Sequence, residues 1–340
     1  MVTLKDIAEE AHVSLMTVSN VVNGKHNKVS KEKLKEIQAI LEKHHYIQNA
    51  SARSLVKANS NIIAIMLRSI ADENSLSSLH NARLVGSIVR QVQDLGYYAM
   101  INLVEDCESI SRSIRTWRVQ AAIFLGMFDD EIEQIYELCN IPMVFIDSYS
   151  KIRQLSNVGI NDYKGGQLAA EYFIKKGHTR LAFVSPPNND IGVVQQRLKG
   201  FTDVLAQHGL SLDPLHRFSV VSEADPDQVS QAVDQITRVR NEITAVFVTS
   251  DGLAASLISG LHRNGIHVPR DISMIGFDNS RISTQIYPPL TTISQDLELK
   301  ARLTVDTLNH RLKNPDASAE SHVLDVALVE RESVLDITGL

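Results

Sequence analysis

The chain is 340 residues long, and at roughly 100–200 residues per domain that length calls for two or three domains with ample cores. An apolar content of 44% against 22% charged residues excludes a disordered or fibrous chain, and the longest apolar runs, such as Ile62–Leu67, fall far short of the roughly 18 residues a membrane helix needs. The net charge of −6 speaks against a general nucleic-acid coat, yet it averages two unlike parts: residues 1–60 hold nine Lys and Arg against six Asp and Glu, whereas the remainder holds 25 against 34. A head of +3 on a body of −9 is the pattern of a localised contact with a polyanion. Two cysteines cannot build a disulfide framework and the N-terminus carries no apolar signal core, so the cytoplasm is the expected location.

Thr3-Leu4-Lys5-Asp6 has the form of a capping box, so a helix is expected from there to about Ala11, with Leu4, Ile7, Ala8 and Ala11 as its buried stripe. After a break at His12 and Val13, Ser14 caps a second helix from Leu15 to about Val22, which Gly24 ends. A third helix follows the Ser30 cap, with Leu34, Ile37, Ile40 and Leu41 inside. Two short helices joined by so tight a turn, with Ala8 and Val18 or Val21 inward, have the spacing of a helix-turn-helix. The outward face of the second helix then carries Leu15, Met16, Thr17, Ser19 and Asn20, with apolar groups for thymine methyls and an amide for base edges. A plain three-helix bundle, with Leu15 and Met16 packed on a neighbour, has the same spacing.

These residues resemble the headpiece of the LacI/GalR family of bacterial transcriptional regulators. Val2-Thr3-Leu4-Lys5-Asp6-Ile7-Ala8, Val13-Ser14, Thr17-Val18-Ser19, Val21-Val22-Asn23-Gly24 and Tyr46-Ile47 carry the likeness. His12 departs from it where Gly commonly makes the turn, which asks a non-Gly residue for a positive φ, and Asn20 departs where Arg is common, which leaves the preferred operator bases open. The resemblance implies a headpiece over residues 1–48 that contacts DNA through Thr3, Ser14, Leu15, Met16, Thr17, Ser19, Asn20 and Asn23, followed by a hinge over residues 49–60. Asn49-Ala50-Ser51-Ala52-Arg53-Ser54-Leu55-Val56 matches the family's hinge helix, with Ala50 in place of the usual proline. So short a helix is unstable alone and is expected to order only on DNA beside a second copy, with Ala52 and Leu55 as DNA contacts and Leu55 wedging a base step in the minor groove. By residue type alone, Leu55 reads as a linker leucine packed on the body.

From residue 61 onward, short apolar runs alternate with amphipathic stretches. Ile62–Leu67, Ala99–Val104, Ala121–Leu125, Met143–Ile146, Leu181–Val184, Ala245–Thr249 and Ser273–Phe277 read as buried strands. Leu79–Leu95, Asp130–Leu138, Tyr163–Lys176, Gln195–His208, Pro226–Arg238 and Leu253–Asn264 read as helices. The alternation specifies doubly wound parallel α/β sheets, long enough for two, with a ligand between them at the carboxyl ends of the strands. The LacI/GalR resemblance continues through Asn161-Asp162-Tyr163-Lys164-Gly165-Gly166, Gly177-His178-Thr179-Arg180, Arg197-Leu198-Lys199-Gly200-Phe201, Gly276-Phe277-Asp278 and Pro288-Pro289-Leu290-Thr291-Thr292. It implies an all-α helix-turn-helix headpiece plus an α/β periplasmic-binding-protein-like core of two doubly wound parallel-sheet subdomains. That core spans residues 61–340, with crossings near 157, 290 and 320, and serves effector binding and dimerisation.

The resemblance also implies a cleft lined by Asp147, Arg197, Ser250, Asp251, Asp278 and Gln295, whose carboxylates and guanidinium can take sugar hydroxyls in pairs. Neither Glu223-Ala224-Asp225 nor Leu297 supplies an aromatic ring to stack on a pyranose, so a sugar, a sugar phosphate and another polar metabolite all stay open. No phosphate-cradling glycine loop, zinc-protease helix or nucleophile elbow is present, and Cys107 and Cys139 stand apart from any metal spacing. No catalysis, cofactor or metal is therefore expected. The chain reads as a homodimeric repressor of a pseudo-palindromic double-stranded DNA operator, controlled by a small-molecule effector, a sugar or sugar phosphate, and without a membrane partner. With no heptad repeat after the body, a dimer rather than a tetramer is expected. The alternatives on the same core fold are a solute-binding protein, which predicts a secretion signal and no headpiece, and a sugar-converting enzyme, which predicts convergent acid–base or nucleophile groups.

Overall fold

The computed structural model describes residues 2–46, 60–68, 76, 78–127, 129–187 and 192–339, which belong to two compact units, Met1–Ser60 and Asn61–Leu340. The hinge expected over residues 49–60 falls, except for Ser60, outside the described residues, and Ala52 and Leu55 with it.

In the first unit, α1 (Leu4–Glu10), α2 (Leu15–Val22) and α3 (Lys31–Lys43) surround buried Ile7, Ala8, Ala11, Val18, Val21 and Ile37. The capping box closes as the sequence requires: the Asp6 N–H donates to Thr3 Oγ1 at 3.3 Å and the Thr3 N–H donates to Asp6 Oδ2 at 2.8 Å. Those bonds from Thr3 hold the Asp6 carboxyl below the usual carboxylate range. His12 takes φ 49°, and the chain closes α1 with a Val13 N–H to Ala8 carbonyl bond of 3.0 Å and a His12 N–H to Glu9 carbonyl bond of 3.2 Å. That paired closure normally ends in glycine, so His12 bears a left-handed backbone to keep the turn tight.

The second unit holds two six-stranded sheets. The first, entirely parallel, comprises β1 (Ile62–Arg68), β2 (Tyr98–Val104), β3 (Ala121–Leu125), β4 (Met143–Ile146), β5 (Asn157–Ile160) and β11 (Ser321–Leu324), in the order β11-β5-β4-β3-β1-β2. The second comprises β6 (Leu181–Ser185), β7 (Arg217–Ser219), β8 (Ala245–Val248), β9 (Ser273–Asp278), β10 (Thr291–Ser294) and β12 (Ala327–Val329), in the order β12-β10-β9-β8-β6-β7, with only β12 antiparallel. Helices α4 (Leu79–Asp94), α5 (Cys107–Trp117) and α6 (Asp129–Leu138) follow strands of the first sheet. Helices α7 (Asp162–Lys175), α8 (Val193–Gln207), α9 (Pro226–Arg238) and α10 (Asp251–Arg263) belong to the second, and α11 (Leu297–Lys313) returns to the first.

Every strand and helix expected from the alternation is present within two residues at either end, while β5, β7, β10, β11, β12, α5 and α11 were not anticipated. The chain changes sheets a few residues beyond the expected crossings. Positions 157, 290 and 320 lie at the starts of β5, β10 and β11, and the chain changes sheets only after those strands, at 161, 295–296 and 325–326. These three strands mix polar residues or glycine into their four positions, so no apolar run marks them and they read as linkers.

One helix pair positions a side chain that matters below. A Cβ added to Gly166 on α7 would lie 1.9 Å from the Arg197 carbonyl oxygen, and one added to Gly200 on α8 would lie 1.9 Å from that of Tyr163. The two backbones touch, which fixes the height of Arg197 against the first turn of α7. Gly166→Ala and Gly200→Ala should each lower the unfolding free energy of the second unit by about 3 kcal/mol, because neither backbone can yield without moving its helix. Urea unfolding checks this, and wild-type stability in either variant would contradict it.

Candidate functional site

Both sheets reverse their strand order once, the first between β1 and β3 and the second between β6 and β8. Such a reversal leaves a crevice at the carboxyl ends of the strands, where the flanking helices turn away to opposite faces. A cavity of about 380 Å³ lies where the two crevices face each other. Its lining includes Leu67 and Arg68 from the end of β1, Leu125 and Gly126 from β3, Pro186 beyond β6, and Thr249 and Ser250 beyond β8. Aliphatic groups such as Leu84, Ile146, Val194, Val220 and Leu253 form its walls, and no Phe, Tyr or Trp lines it among the described residues. Trp117 sits exposed at the end of α5 and is not part of the cavity lining.

Arg197 reaches the cavity from the second turn of α8. Its Nε donates to Asp162 Oδ1 at 2.8 Å, its Nη1 donates to the Thr249 carbonyl at 2.8 Å, and the guanidinium lies over the Phe277 ring, 3.5 Å from the centroid. Asp162, at the start of α7, is buried and also accepts from the Tyr149 hydroxyl at 2.8 Å. Burial pushes the Asp162 carboxyl up and the Arg197 charge opposes that shift; burial together with the same carboxylate pushes the Tyr149 hydroxyl far up.

Asp147 and Asp278 stand at the ends of β4 and β9 with φ of 49° and 107°, both in the left-handed region. Lys300 of α11, with no exposed surface, grips both oxygens of Asp147 at 2.9 and 2.8 Å and donates to Gln295 Oε1 at 2.8 Å. Gln295 in turn donates to Asp278 Oδ1 at 2.7 Å, with His80 Nδ1 3.4 Å from the same oxygen. Burial alone would raise Asp278, but His80, Arg197 and Gln295 outweigh it and hold the carboxyl below the usual range. Ser250 caps α10 by accepting from the Leu253 N–H at 3.1 Å, and its hydroxyl donates to Glu223 Oε2 at 2.6 Å.

Of the six cleft residues expected from the sequence, Asp147, Arg197, Ser250 and Asp278 line the cavity. Gln295 stands one layer behind them, as the bridge between Lys300 and Asp278. Asp251 does not line the cavity: it is fully buried and accepts from the Ser280 N–H at 2.6 Å, the Ser280 hydroxyl at 3.0 Å and the Thr292 hydroxyl at 2.6 Å. It pins the loop after β9 rather than facing a ligand. Sequence reasoning missed Lys300, Asp162, His80 and Glu223. Asp162 carried a signal as part of the Asn161–Gly166 block, and Glu223 stood in the Glu223–Asp225 segment weighed only for an aromatic ring.

In the first unit, Thr3, Ser14 and Asn23 are occupied with helix ends. Thr3 caps α1, Ser14 Oγ accepts from the Thr17 N–H at 3.2 Å and lies 2.9 Å from Thr17 Oγ1, and Asn23 Nδ2 donates to the Ser19 carbonyl at 2.7 Å. Leu15 and Met16 are 52% and 74% exposed, so the packed-bundle alternative is not realised, while Thr17, Ser19 and Asn20 are half-buried beside them.

Residues 3–49 match the family model described as bacterial regulatory proteins, lacI family, and residues 170–334 match a periplasmic binding protein-like domain. The chain is 30% identical to the "Probable HTH-type transcriptional repressor ExuR" of Bacillus subtilis (strain 168), over 99% of this chain and 100% of that one. It is also 30% identical to the "HTH-type transcriptional regulator MalR" of Clostridium butyricum, over 98% and 99%. Among solved structures, the lac repressor dimer bound to operator and the anti-inducer ONPF superposes with a TM-score of 0.82 at 26% identity, covering 98% of this chain and 99% of that one.

Burial and the nearby Asp278 charge push the Asp251 carboxyl up to about 7. An acid raised in the folded state keeps its proton where the unfolded chain has already ionised, so stability falls as pH rises from about 4 to about 7 and then levels. Asp251→Asn, which removes the titrating carboxyl while keeping an oxygen to accept from Ser280 or Thr292, should flatten that decline. Urea midpoints at about pH 5 and about pH 8 test it, and an undiminished fall in the variant would contradict the assignment.

Proposed function

The chain belongs to the lacI family of bacterial regulatory proteins, and from that premise we propose that it is a homodimeric repressor whose hold on a pseudo-palindromic operator is set by a sugar in the cleft. The observation that carries this is the union, in one chain, of a helix-turn-helix with an outward Leu15-Met16 face and a core whose cavity takes groups from both sheets. Two headpieces enter successive major grooves, one per half-site. At +3 each, their electrostatic pull is modest, so both heads and an ordered hinge over residues 49–60, with Leu55 as wedge, are needed together.

A ligand held by Asp147 on one side and by Arg197 and Asp278 on the other senses the angle between the two subdomains. It shifts operator affinity by as much as its affinities for the two angles differ. Edge strand β2 leaves Tyr98, Ile101 and Leu103 exposed, which supports pairing of two copies. The cleft is assigned binding rather than a reaction: Asp278 is held ionised and Asp147 is gripped through both oxygens, the condition of acceptors and not of a general acid. No helix among the described residues is long and apolar enough to cross a membrane.

The test is fluorescence anisotropy with operators selected from a random DNA pool. The wild type should select sites of two half-sites about one helical turn apart. Met16→Glu should weaken that binding about 30-fold, the equivalent of about 2 kcal/mol. Asp278→Asn should abolish the response to effector while leaving operator affinity close to wild type. Binding without sequence selectivity, or a normal effector response in Asp278→Asn, would refute the proposal.

A further inference from the structure

We propose that the cleft is built for an uncharged, hydroxyl-rich ligand of sugar size and turns away the phosphate and carboxylate forms of the same sugar. The inference rests on the assignment of the cleft as the effector site and narrows the chemistry of what it holds.

Two atoms define what the cavity lacks. Arg197 is only 8% exposed, its Nε and Nη1 are taken by Asp162 and the Thr249 carbonyl, and its Nη2 makes no hydrogen bond among the described residues. Asp278, whose side chain is 10% exposed, has Oδ1 engaged by Gln295 and near His80, while Oδ2 has no partner among the described residues. One donor and one ionised acceptor therefore face the cavity unsatisfied. A hydroxyl serves both, since it can donate to Asp278 Oδ2 and accept from Arg197 Nη2. The oxygens of a phosphate or carboxylate are acceptors only and leave Asp278 unanswered.

The cations give an anion no better welcome. All three N–H groups of Lys300 are spent on Asp147 and Gln295 in a site without solvent exposure. Arg197 is matched by Asp162 at 2.8 Å, and Arg68 lies 3.3 Å from Glu131. A helix N-terminus is the usual refuge for an anion, and that of α10 opens into this cavity at Ser250. Glu223 already occupies it: its carboxylate accepts from the Ser250 hydroxyl at 2.6 Å, and a Cβ on Gly252 would lie 2.9 Å from its oxygens. The protein's own carboxylate holds the position that a ligand phosphate would seek. A volume of about 380 Å³ is near the small end for ligand sites, and aliphatic walls suit the C–H faces of a sugar.

Isothermal titration of the full chain with matched sets tests the proposal. The sets are D-glucose, D-glucose 6-phosphate and D-glucuronate; D-galactose and D-galacturonate; D-ribose and D-ribose 5-phosphate; with maltose and cellobiose added. At least one neutral sugar should bind, with its anionic derivative at least about 100-fold weaker. In Glu223→Gln that gap should shrink at least about tenfold. An anionic derivative that binds as tightly as its parent, an unchanged gap in Glu223→Gln, or silence from every neutral sugar would overturn the inference. Operator affinity measured on the same samples separates the two levels. An anionic sugar that releases operator leaves the regulator standing and removes this narrowing, whereas a neutral sugar that binds without altering operator affinity does the reverse.

Discussion

A carboxylate buried away from water must meet a cation or give up its charge, and the cleft is organised around that requirement. Asp162 is answered by Arg197 and Asp147 by Lys300, each within 2.8 Å. Removing one partner from such a pair strands the other and costs about 3–5 kcal/mol, so each pair fixes the elements that carry it. The first holds the start of α7 to α8, whose backbones already touch at Gly166 and Gly200. The second draws α11 onto the end of β4. Because Gln295 joins Lys300 to Asp278 from within the chain's second passage between sheets, a continuous polar path runs from Asp147 in the first subdomain to Asp278 in the second.

That path carries backbone strain at both ends. Asp147 and Asp278 sit at positive φ, a conformation that costs about 1–3 kcal/mol per residue and persists only where its surroundings fix it. Lys300 and Gln295 supply that constraint, and the Phe277 ring beneath Arg197 keeps the guanidinium plane in place. The side chains proposed to meet a ligand are thus set before it arrives. A ligand contacting both ends of the path finds its best fit at one subdomain angle, which is how a small molecule comes to bias a larger motion.

Much of this was legible in the residues. Interior strands of parallel sheets are apolar on both faces, so β1, β3, β4, β6, β8 and β9 announce themselves as unbroken runs. The headpiece was readable from its caps, and the demand for positive φ at His12 is met. What escaped has a common cause. β7, β10 and β11 mix polar residues into their three or four positions and so show no apolar run, and Lys300 and Asp147 are 153 positions apart, so nothing local marks either as a partner of the other. Asp251 shows the opposite error. An acid at a strand end reads the same whether it faces a cleft or turns under a loop, and only the positions of Ser280 and Thr292 decide between the two.

The charge balance that opens the sequence takes on a second meaning here. The acidity of the body extends into its cleft, where Asp147, Asp162, Glu223 and Asp278 outnumber Arg197 and Lys300, so one excess of negative charge discourages wrapping by DNA and also shapes what the cavity admits. The most direct measurement is a crystal structure of the full chain with a bound effector. Arg197 Nη2 and Asp278 Oδ2 should both lie within about 3.2 Å of hydroxyl oxygens of one ligand, with the Lys300–Asp147 and Arg197–Asp162 pairs intact. A ligand seated elsewhere, or one that leaves those two atoms unengaged, would contradict the assignment of the cleft.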